Sequence, residues 1–496
     1  MTEGASSASP SVPQPLLVPG RNCWRVEQAD QAAVVVDAAD YFRLARQAML
    51  EAQHQIILVG WDFDTRIRLD RGSSMPGVPN ILGDFVHWLA GQKPQLEIYL
   101  LSWDMGALKL LGRGSSILTA ARWAAHDRIH LKFDGAHPAG GTHHQKIVVI
   151  DDSFAFCGGI DMTARRWDTR EHLDDDRRRR HPSGRLHGPW HDVTTAVDGE
   201  AARALGELAR QRWQHATGKQ LPSPPAVPIW PKELEPQFQN VAIGVARTIP
   251  ATGEDIEIRE IEALYLDLIA SAKHSIYAEN QYFASGVIAD AIAKRLGEDD
   301  GPEFVLIMPD TADGWLEEEV MGSARARLMQ SIAEVDRHRR FRIYTPVTAG
   351  GEPIYVHAKV MIVDGEVLRV GSSNWNNRSL GLDSECDVVI DRRPLSDASG
   401  ENAIAEIRND LLAEHLATSI GEVKTTLETT RSLIATIEQL RGSGKTLVPF
   451  EVPELNAAEK VLADKELLDP EKAGGFFEPL SKRGLFRRRR KLASPG

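Results

Sequence analysis

Two histidines and two lysines recur in this 496-residue chain at one repeated spacing. His144-Gln145-Lys146 is followed by Asp151 and then by Gly158-Gly159; His357-Ala358-Lys359 is followed by Asp364 and then by Gly371-Ser372. In both copies the Asp falls five residues after the Lys, and the small pair begins seven residues after the Asp. A site that cleaves a phosphodiester through a histidine nucleophile needs such a set. One imidazole attacks phosphorus, a second handles protons, and two ammonium groups neutralise the charge that builds on the phosphoryl oxygens. Repetition of the whole pattern argues against chance.

The residues behind each motif write a strand. Ile147 to Ile150 and Val360 to Val363 are unbroken apolar runs ending at an Asp, the pattern of a strand covered on both faces. Side chains alternate along a strand, so the His and Lys of each x-His-x-Lys unit project to the same side, and His143 points to the other side as a structural residue. The Gly158-Gly159 and Gly371-Ser372 pairs lie after a further apolar stretch and would let backbone approach a ligand, leaving amide or hydroxyl donors for a phosphate. Asp151 and Asp364 admit two readings: members of the chemical set, or caps of the turn that ends the strand.

The duplication reaches beyond the motifs. Runs at Ile56 to Val59, Leu96 to Leu101 and Ile129 to Phe133 precede the first, and runs at Ser275 to Ala278, Phe304 to Met308 and Phe341 to Tyr344 precede the second. Ala38 to Gln53 and Ile258 to Lys273, with apolar residues at helical spacing, stand before each series. The expected fold is α/β: two tandem homologous α/β domains, each a mixed, mostly parallel sheet flanked by helices, packed with pseudo-two-fold symmetry around one active site. The expected divisions are a disordered leader at 1–20, a first domain at 21–218, a Pro-rich linker at 219–237, a second domain at 238–421 and a C-terminal extension with a basic tail at 422–496.

The paired motif resembles that of the phospholipase D superfamily. Several flanking strings resemble its eukaryotic-type branch more narrowly: Gly158-Gly159-Ile160-Asp161, Arg166-Trp167-Asp168-Thr169 and Pro189-Trp190-His191-Asp192-Val193 in the first half. In the second half they are Glu279-Asn280-Gln281-Tyr282-Phe283, Gly371-Ser372-Ser373-Asn374, Asn377-Arg378-Ser379 and Asp383-Ser384-Glu385. The resemblance implies that His144 is the nucleophile and that His357 protonates the leaving alcohol and then activates the acceptor. It implies that Lys146, Lys359, Asn374 and Ser372 bind phosphate, and that Asp192 and Glu385 orient the histidines, with the pairing left open. Asp161 stands where many members carry Asn; a carboxylate there must bond to Lys or Arg or it would repel phosphate, so the two halves are expected to be unequal. No metal or other cofactor is called for, and one chain suffices for one site.

By the same resemblance, the expected activity is hydrolysis of a glycerophospholipid to phosphatidic acid and a headgroup alcohol, with transfer to another alcohol in place of water. The alternatives are a cardiolipin synthase-like phosphatidyltransferase, a nuclease or other phosphodiesterase, and a non-catalytic lipid-binding protein. A formal charge of −12 argues against a nucleic-acid partner. The three cysteines, Cys23, Cys157 and Cys386, suggest neither zinc nor a disulfide framework and fit a reducing compartment. No run approaches the ~20 apolar residues of a membrane span, so a cytoplasmic or peripheral protein is expected, with export lacking a cleavable signal left open. The acidic-then-basic run Asp174 to Arg180 reads as a solvated loop. The tail Lys482 to Lys491, with Leu485 and Phe486 among its cations, reads either as a membrane contact or as a solubilising tail. Headgroup contacts are sought among Trp103, Asp104, Trp167, Trp190, Tyr282, Trp315 and Trp375, whose rings could cage a cation.

Overall fold

A computed structural model describes residues 15–72, 75–104, 115–252, 256–311, 315–393 and 402–451; the basic tail lies outside them. The first half runs β1 (Arg25–Val36), α1 (Ala38–Glu51), β2 (Gln55–Gly60), α2 (Leu82–Gln92), β3 (Glu97–Trp103), α3 (Ser115–Ala124), β4 (Ile129–Asp134), β5 (Ile147–Ile150), β6 (Phe154–Gly158), β7 (Trp190–His191), β8 (Val193–Asp198) and α4 (Gly199–Thr217). The second runs β9 (Phe238–Ile249), β10 (Ile258–Arg259), α5 (Glu260–Ser271), β11 (Ser275–Glu279), α6 (Gly286–Leu296), β12 (Glu303–Ile307), α7 (Trp315–Val335), β13 (Phe341–Val347), β14 (Tyr355–Val356), β15 (Val360–Val363), β16 (Val367–Gly371), β17 (Glu385–Asp391) and α8 (Ala403–Leu416).

The halves share one sheet. From β13 to β4 its order is β13-β12-β11-β15-β16-β17-β9-β1-β8-β6-β5-β2-β3-β4, which reads as the same seven-strand series outward from either side of the central β1–β9 pair. That pair is antiparallel, with Arg25 opposite Val245 and Ala32 opposite Phe238, as a two-fold relation between halves requires. The sheet is mixed, but the expectation of mostly parallel strands is corrected. Parallel pairing is confined to β2–β3–β4 and β11–β12–β13 within this sheet, where helices make the crossovers. The motif strands β5 and β15 turn straight back into β6 and β16 through three residues, and so short a connection can only join antiparallel neighbours. Asp151, Asp152, Asp364 and Gly365 all take positive φ in these turns, a conformation that Asp and Gly tolerate.

Asp151 and Asp364 are therefore turn residues. Asp151 accepts the backbone N–H groups of Gln53, His54 and Gln55 at 2.6, 2.8 and 2.6 Å, tying the end of β5 to the start of β2. Asp364 does the same for Lys273, His274 and Ser275 at 2.8, 2.8 and 2.9 Å. Four strand residues stand between each Asp and its motif Lys, roughly 15 Å of extended chain. Their inclusion among the catalytic residues gives way to the capping reading.

One face of the sheet carries a core common to both halves, in which Val149, Cys157 and Leu205 join Val360, Cys386 and Leu411. The other face is covered separately, by α1 and α2 in the first half and by α5 and α6 in the second. The beginning of the expected C-terminal extension belongs to the fold: α9 (Ile420–Thr430) and α10 (Leu433–Leu440) put Val423, Leu433 and Ile437 into the common core, and β18 (Thr446–Pro449) pairs with β13. The run Asp174 to Arg180 is not simply solvated, because Arg179 is 2% exposed and pairs with Asp168 at 3.2 Å.

Asp151→Ala removes a fully buried carboxylate that serves three amides, the Gln55 one buried, and places Ala at positive φ; it is expected to cost about 3 kcal/mol. Asp364→Ala, at a more exposed turn, should cost about half as much. Urea unfolding of the two variants tests the order, and equal losses would refute it.

Candidate active site

Each motif histidine is held by the opposite half. His144 Nδ1 lies 3.0 Å from both carboxylate oxygens of Glu385, and His357 Nδ1 lies 2.7 Å from Asp192 Oδ2. Backbone contacts repeat the exchange: the His144 N–H donates to the Ser384 carbonyl at 3.0 Å and the His357 N–H to the His191 carbonyl at 2.8 Å. Short strands β7 and β14 pair in parallel beside the site, Tyr355 opposite Trp190 and Val356 opposite His191. The residues leading into Asp192 and into His357 are thereby zipped together.

The lysines differ between halves. Lys146 Nζ lies 3.2 Å from Asp161 Oδ2 and donates to its own motif's His144 carbonyl at 3.0 Å. Lys359 Nζ donates to the neutral Gln281 Oε1 at 3.1 Å and to the His357 carbonyl. Asn374, which occupies the place in its string that Asp161 has in the other, is buried with Oδ1 lacking a hydrogen-bond partner.

Ser372 does not offer its donors to a ligand. Its hydroxyl donates to Glu385 Oε2 at 2.5 Å, and its N–H donates to the Cys386 carbonyl at 3.1 Å. The expectation that Ser372 binds phosphate is replaced by a role in holding Glu385. The small pairs serve packing for the same reason. A Cβ at Gly158 would collide with Thr194, at Gly159 with the Asp192 carboxylate and at Gly371 with Asp387, and the Gly159 N–H is spent on Val193 at 2.9 Å. His143 faces away and bonds Ser384 Oγ at 2.9 Å.

Burial, with Lys146 and Lys359 nearby, holds the His144 imidazole well below its ordinary value. His357 is lowered by burial, then by Lys359, Arg166 and Lys146. Burial pushes Glu385 up to about 8, against the hydroxyls of Ser372 and Ser379; it pushes Asp192 up as well, opposed by Lys359. Neutral imidazoles whose Nδ1–H points at a carboxylate keep the Nε2 lone pair outward. Once Glu385 has lost its proton, a ring in that state can attack an electrophile or take up a proton.

Three side chains received no role from the sequence although their strings were noticed. Gln281 holds Lys359, Ser379 Oγ donates to Glu385 Oε1 at 2.7 Å, and Arg166 stands 4.2 Å over the ring of Trp190, which lies 5.3 Å from His357. Of the aromatic candidates, Trp190 is beside the site, stacked at 4.5 Å on Tyr355, and Tyr282 shares the Gln281 amide with Tyr355. Trp167 and Trp375 are core residues. Trp103 stacks on Trp61, with its N–H 3.1 Å from His137, which also meets Asp104 at 3.3 Å; the Trp315 side chain lies outside the described residues. Side chains close enough together to hold a metal ion, among those described, are Asp37, His172, His191 and Glu414, and His191 with Glu279 and His415; neither set includes a motif histidine.

Residues 48–224 match the family model described as "Phospholipase D", and residues 265–404 match "Cardiolipin synthase, PLD-like domain". The chain belongs to the phospholipase D superfamily. It is similar to phospholipase D A of Dictyostelium discoideum, at 28% identity over 74% of this chain and 34% of that protein. It is also similar to phospholipase D1 of Saccharomyces cerevisiae, at 26% identity over 79% of this chain and 29% of that one. The resemblance to the eukaryotic-type branch is thus borne out, and the chain spans about a third of the length of these relatives. The crystal structure of phosphatidylserine synthase from Haemophilus influenzae shares the fold, with a TM-score of 0.54 at 14% identity over 88% of this chain and 93% of that one. Among the described residues, no helix is long and apolar enough to cross a membrane.

Below about pH 8 a protonated Glu385 would donate to His144 Nδ1 and move the ring proton to Nε2, so cleavage of a chromogenic phosphodiester should rise as pH passes through that value. Ser379→Ala removes a donor to the carboxylate and should move this limb to higher pH by about one unit. A uniform loss with an unmoved limb would refute the assignment.

Proposed function

We propose that the chain is a phosphodiesterase of the phospholipase D type. In this reading it hydrolyses a glycerophospholipid to phosphatidic acid and a headgroup alcohol through a phosphohistidine. The observation that carries the proposal is the crossed pairing of two motif histidines with two buried carboxylates beside two lysines. Nε2 of His144 attacks phosphorus and the bond from phosphorus to the headgroup oxygen breaks. As the anionic diester binds it raises the proton affinity of His357, whose Nε2 takes up a proton from solvent and passes it to that oxygen. His357 then takes a proton from water, whose oxygen attacks phosphorus and releases His144. Lys146, Lys359 and Asn374 stabilise the phosphoryl oxygens, and an alcohol in place of water gives transfer.

The division into units at 21–218 and 238–421 joined by 219–237 accompanies this reading, as does a single chain holding a complete site. A peripheral membrane location is supported by a 670 Å³ bay whose lining includes Arg66, Arg68, Arg71, Arg177, Arg178 and Arg180 beside Asp70; Arg66 pairs with Asp64 and Arg178 with Asp176, and the excess of arginines suits anionic headgroups. The second reading, phosphatidyl transfer for lipid synthesis, is favoured by the description that residues 265–404 match.

Purified protein incubated with mixed phospholipid vesicles and a primary alcohol should yield phosphatidic acid and phosphatidyl-alcohol, and His144→Ala should lose on the order of 10³-fold or more in rate. Intact lipids with cleavage of plasmid DNA would overturn the lipid assignment. If phosphatidylglycerol outcompetes water as acceptor, the second reading replaces the first.

A further inference from the structure

Behind the site lies a second cluster of buried ionisable groups that the proposed chemistry does not use. Asp37 at the β1–α1 junction, His172 in the long loop after β6, His191 on β7 and Glu414 on α8 converge with exposures of 1, 1, 0 and 8%. His191 Nδ1 stands 2.9 Å from Glu414 Oε1 and 3.3 Å from Asp37 Oδ1; His172 Nε2 stands 3.2 Å from Glu414 Oε1 and 3.5 Å from Asp37 Oδ2. One donor atom from each of the four residues can be chosen so that all lie within 4.8 Å of one another; the donors around a tetrahedral ion bound at ~2.0–2.2 Å lie about 3.3–3.5 Å apart, so binding draws the four side chains slightly together.

The outward ring nitrogens decide what the inward ones can be. His172 Nδ1 lies 3.0 Å from Asp168 Oδ2 and His191 Nε2 lies 2.8 Å from Glu279 Oε2. With the ring proton given to those carboxylates, the inward nitrogens present lone pairs to two more carboxylates. Asp37 Oδ2 and His191 Nδ1 are buried and make no well-aligned hydrogen bond, their contacts being with other members of the cluster. Arg170 pairs with Glu414 Oε2 and Arg179 with Asp168 at 3.2 Å; the carboxylate charge that remains is met either by a second proton on the rings or by a cation among the four donors. Carboxylate–histidine pairs in which the other ring nitrogen faces a shared centre are how proteins orient metal-binding imidazoles.

We propose that Asp37, His172, His191 and Glu414 bind one divalent transition-metal ion, zinc being the best match to two imidazole and two carboxylate donors in tetrahedral array. Three donors come from the first half and one from the second, so the ion staples the halves. It sits next to the chemistry: the Asp37 N–H donates to the Asp192 carbonyl at 2.8 Å, and Asp37 Oδ1 accepts the Asp192 N–H at 3.1 Å. The ion is a structural element that keeps Asp192 in place.

The full chain, produced in zinc-replete medium and dialysed, should contain about one zinc per molecule by elemental analysis. Protein unfolded in chelator and refolded with cobalt(II) should show the visible absorption of a tetrahedral nitrogen–oxygen site. Refolding with zinc should raise Tm by roughly 5–10 °C over refolding in chelator, and Glu414→Gln should lose most of the bound metal. Should that variant fail to fold, the wild-type measurements decide alone. Wild-type protein that is isolated metal-free, takes up neither ion on refolding and melts at the same temperature in both buffers would overturn the proposal in favour of two doubly protonated histidines.

Discussion

The crossed contact between each motif histidine and the other half's carboxylate is the constraint on which the remaining structure depends. Glu385 reaches His144 and Asp192 reaches His357 only if the two halves meet face to face at one angle and one register. The antiparallel β1–β9 ladder supplies both, and β8 and β17, which flank it, start beside the two carboxylates. A slip of one residue in that ladder would turn each of its side chains to the opposite face. The central strands therefore fix the chemistry, although none of their own side chains enters it. The common core on one face of the sheet makes the docking a matter of apolar burial rather than of a few surface pairs.

Burial of so many charged groups is costly unless each is matched. The structure meets this with layers of partners. Glu385 receives two hydroxyls and a ring nitrogen, Asp192 receives the Val193 N–H at 2.9 Å, and Asp387 takes the Arg369 guanidinium at 2.9 Å while accepting the Ser372 N–H at 3.1 Å. The glycines fall where these carboxylates pass closest to backbone. Small residues in the motif tails thus answer to the carboxylates behind the histidines, and in the proposed mechanism phosphate recognition is left to the lysines and Asn374.

How much of this could be read in the sequence follows from the range of each interaction. The histidines, lysines, motif strands and duplicated strand series are local in the chain, and all lie where spacing and hydrophobic runs put them. Strand direction depended on turn chemistry: Asp364-Gly365 is a hairpin signal that was legible, and it was outweighed by the strand–helix alternation earlier in each half. Ser372 was assigned to phosphate because a hydroxyl beside glycine suits an anion; its true partner, Glu385, is 13 residues away and settled only by packing. Arg179 looked solvated within a charge run, yet Asp168 draws it inside. The pairing of carboxylates with histidines spans 165 and 241 residues of sequence, and no periodicity reports on it.

Under the proposed mechanism a fold built by duplication performs a reaction whose two histidine roles are opposite, and the copies differ at places that bear on those roles. Lys146 faces the carboxylate of Asp161, whereas Lys359 faces the amide of Gln281. The first lysine thus has a carboxylate in direct contact, whereas burial pushes the second down to about 7 against the pull of Asp192; under the proposed mechanism an arriving anionic phosphoryl group restores the full charge of Lys359. Glu385, longer by one methylene and held by Ser372 and Ser379, grips His144 through both oxygens; Asp192 meets His357 through one. Under the proposed mechanism, the ring held symmetrically and facing a substrate drawn to the far side is the one placed to attack. The ring beside Lys359, whose charge holds it down, is the one whose proton affinity changes most when the diester arrives. The asymmetry resides in substitutions at matched positions of one repeated unit, and the backbone symmetry is kept.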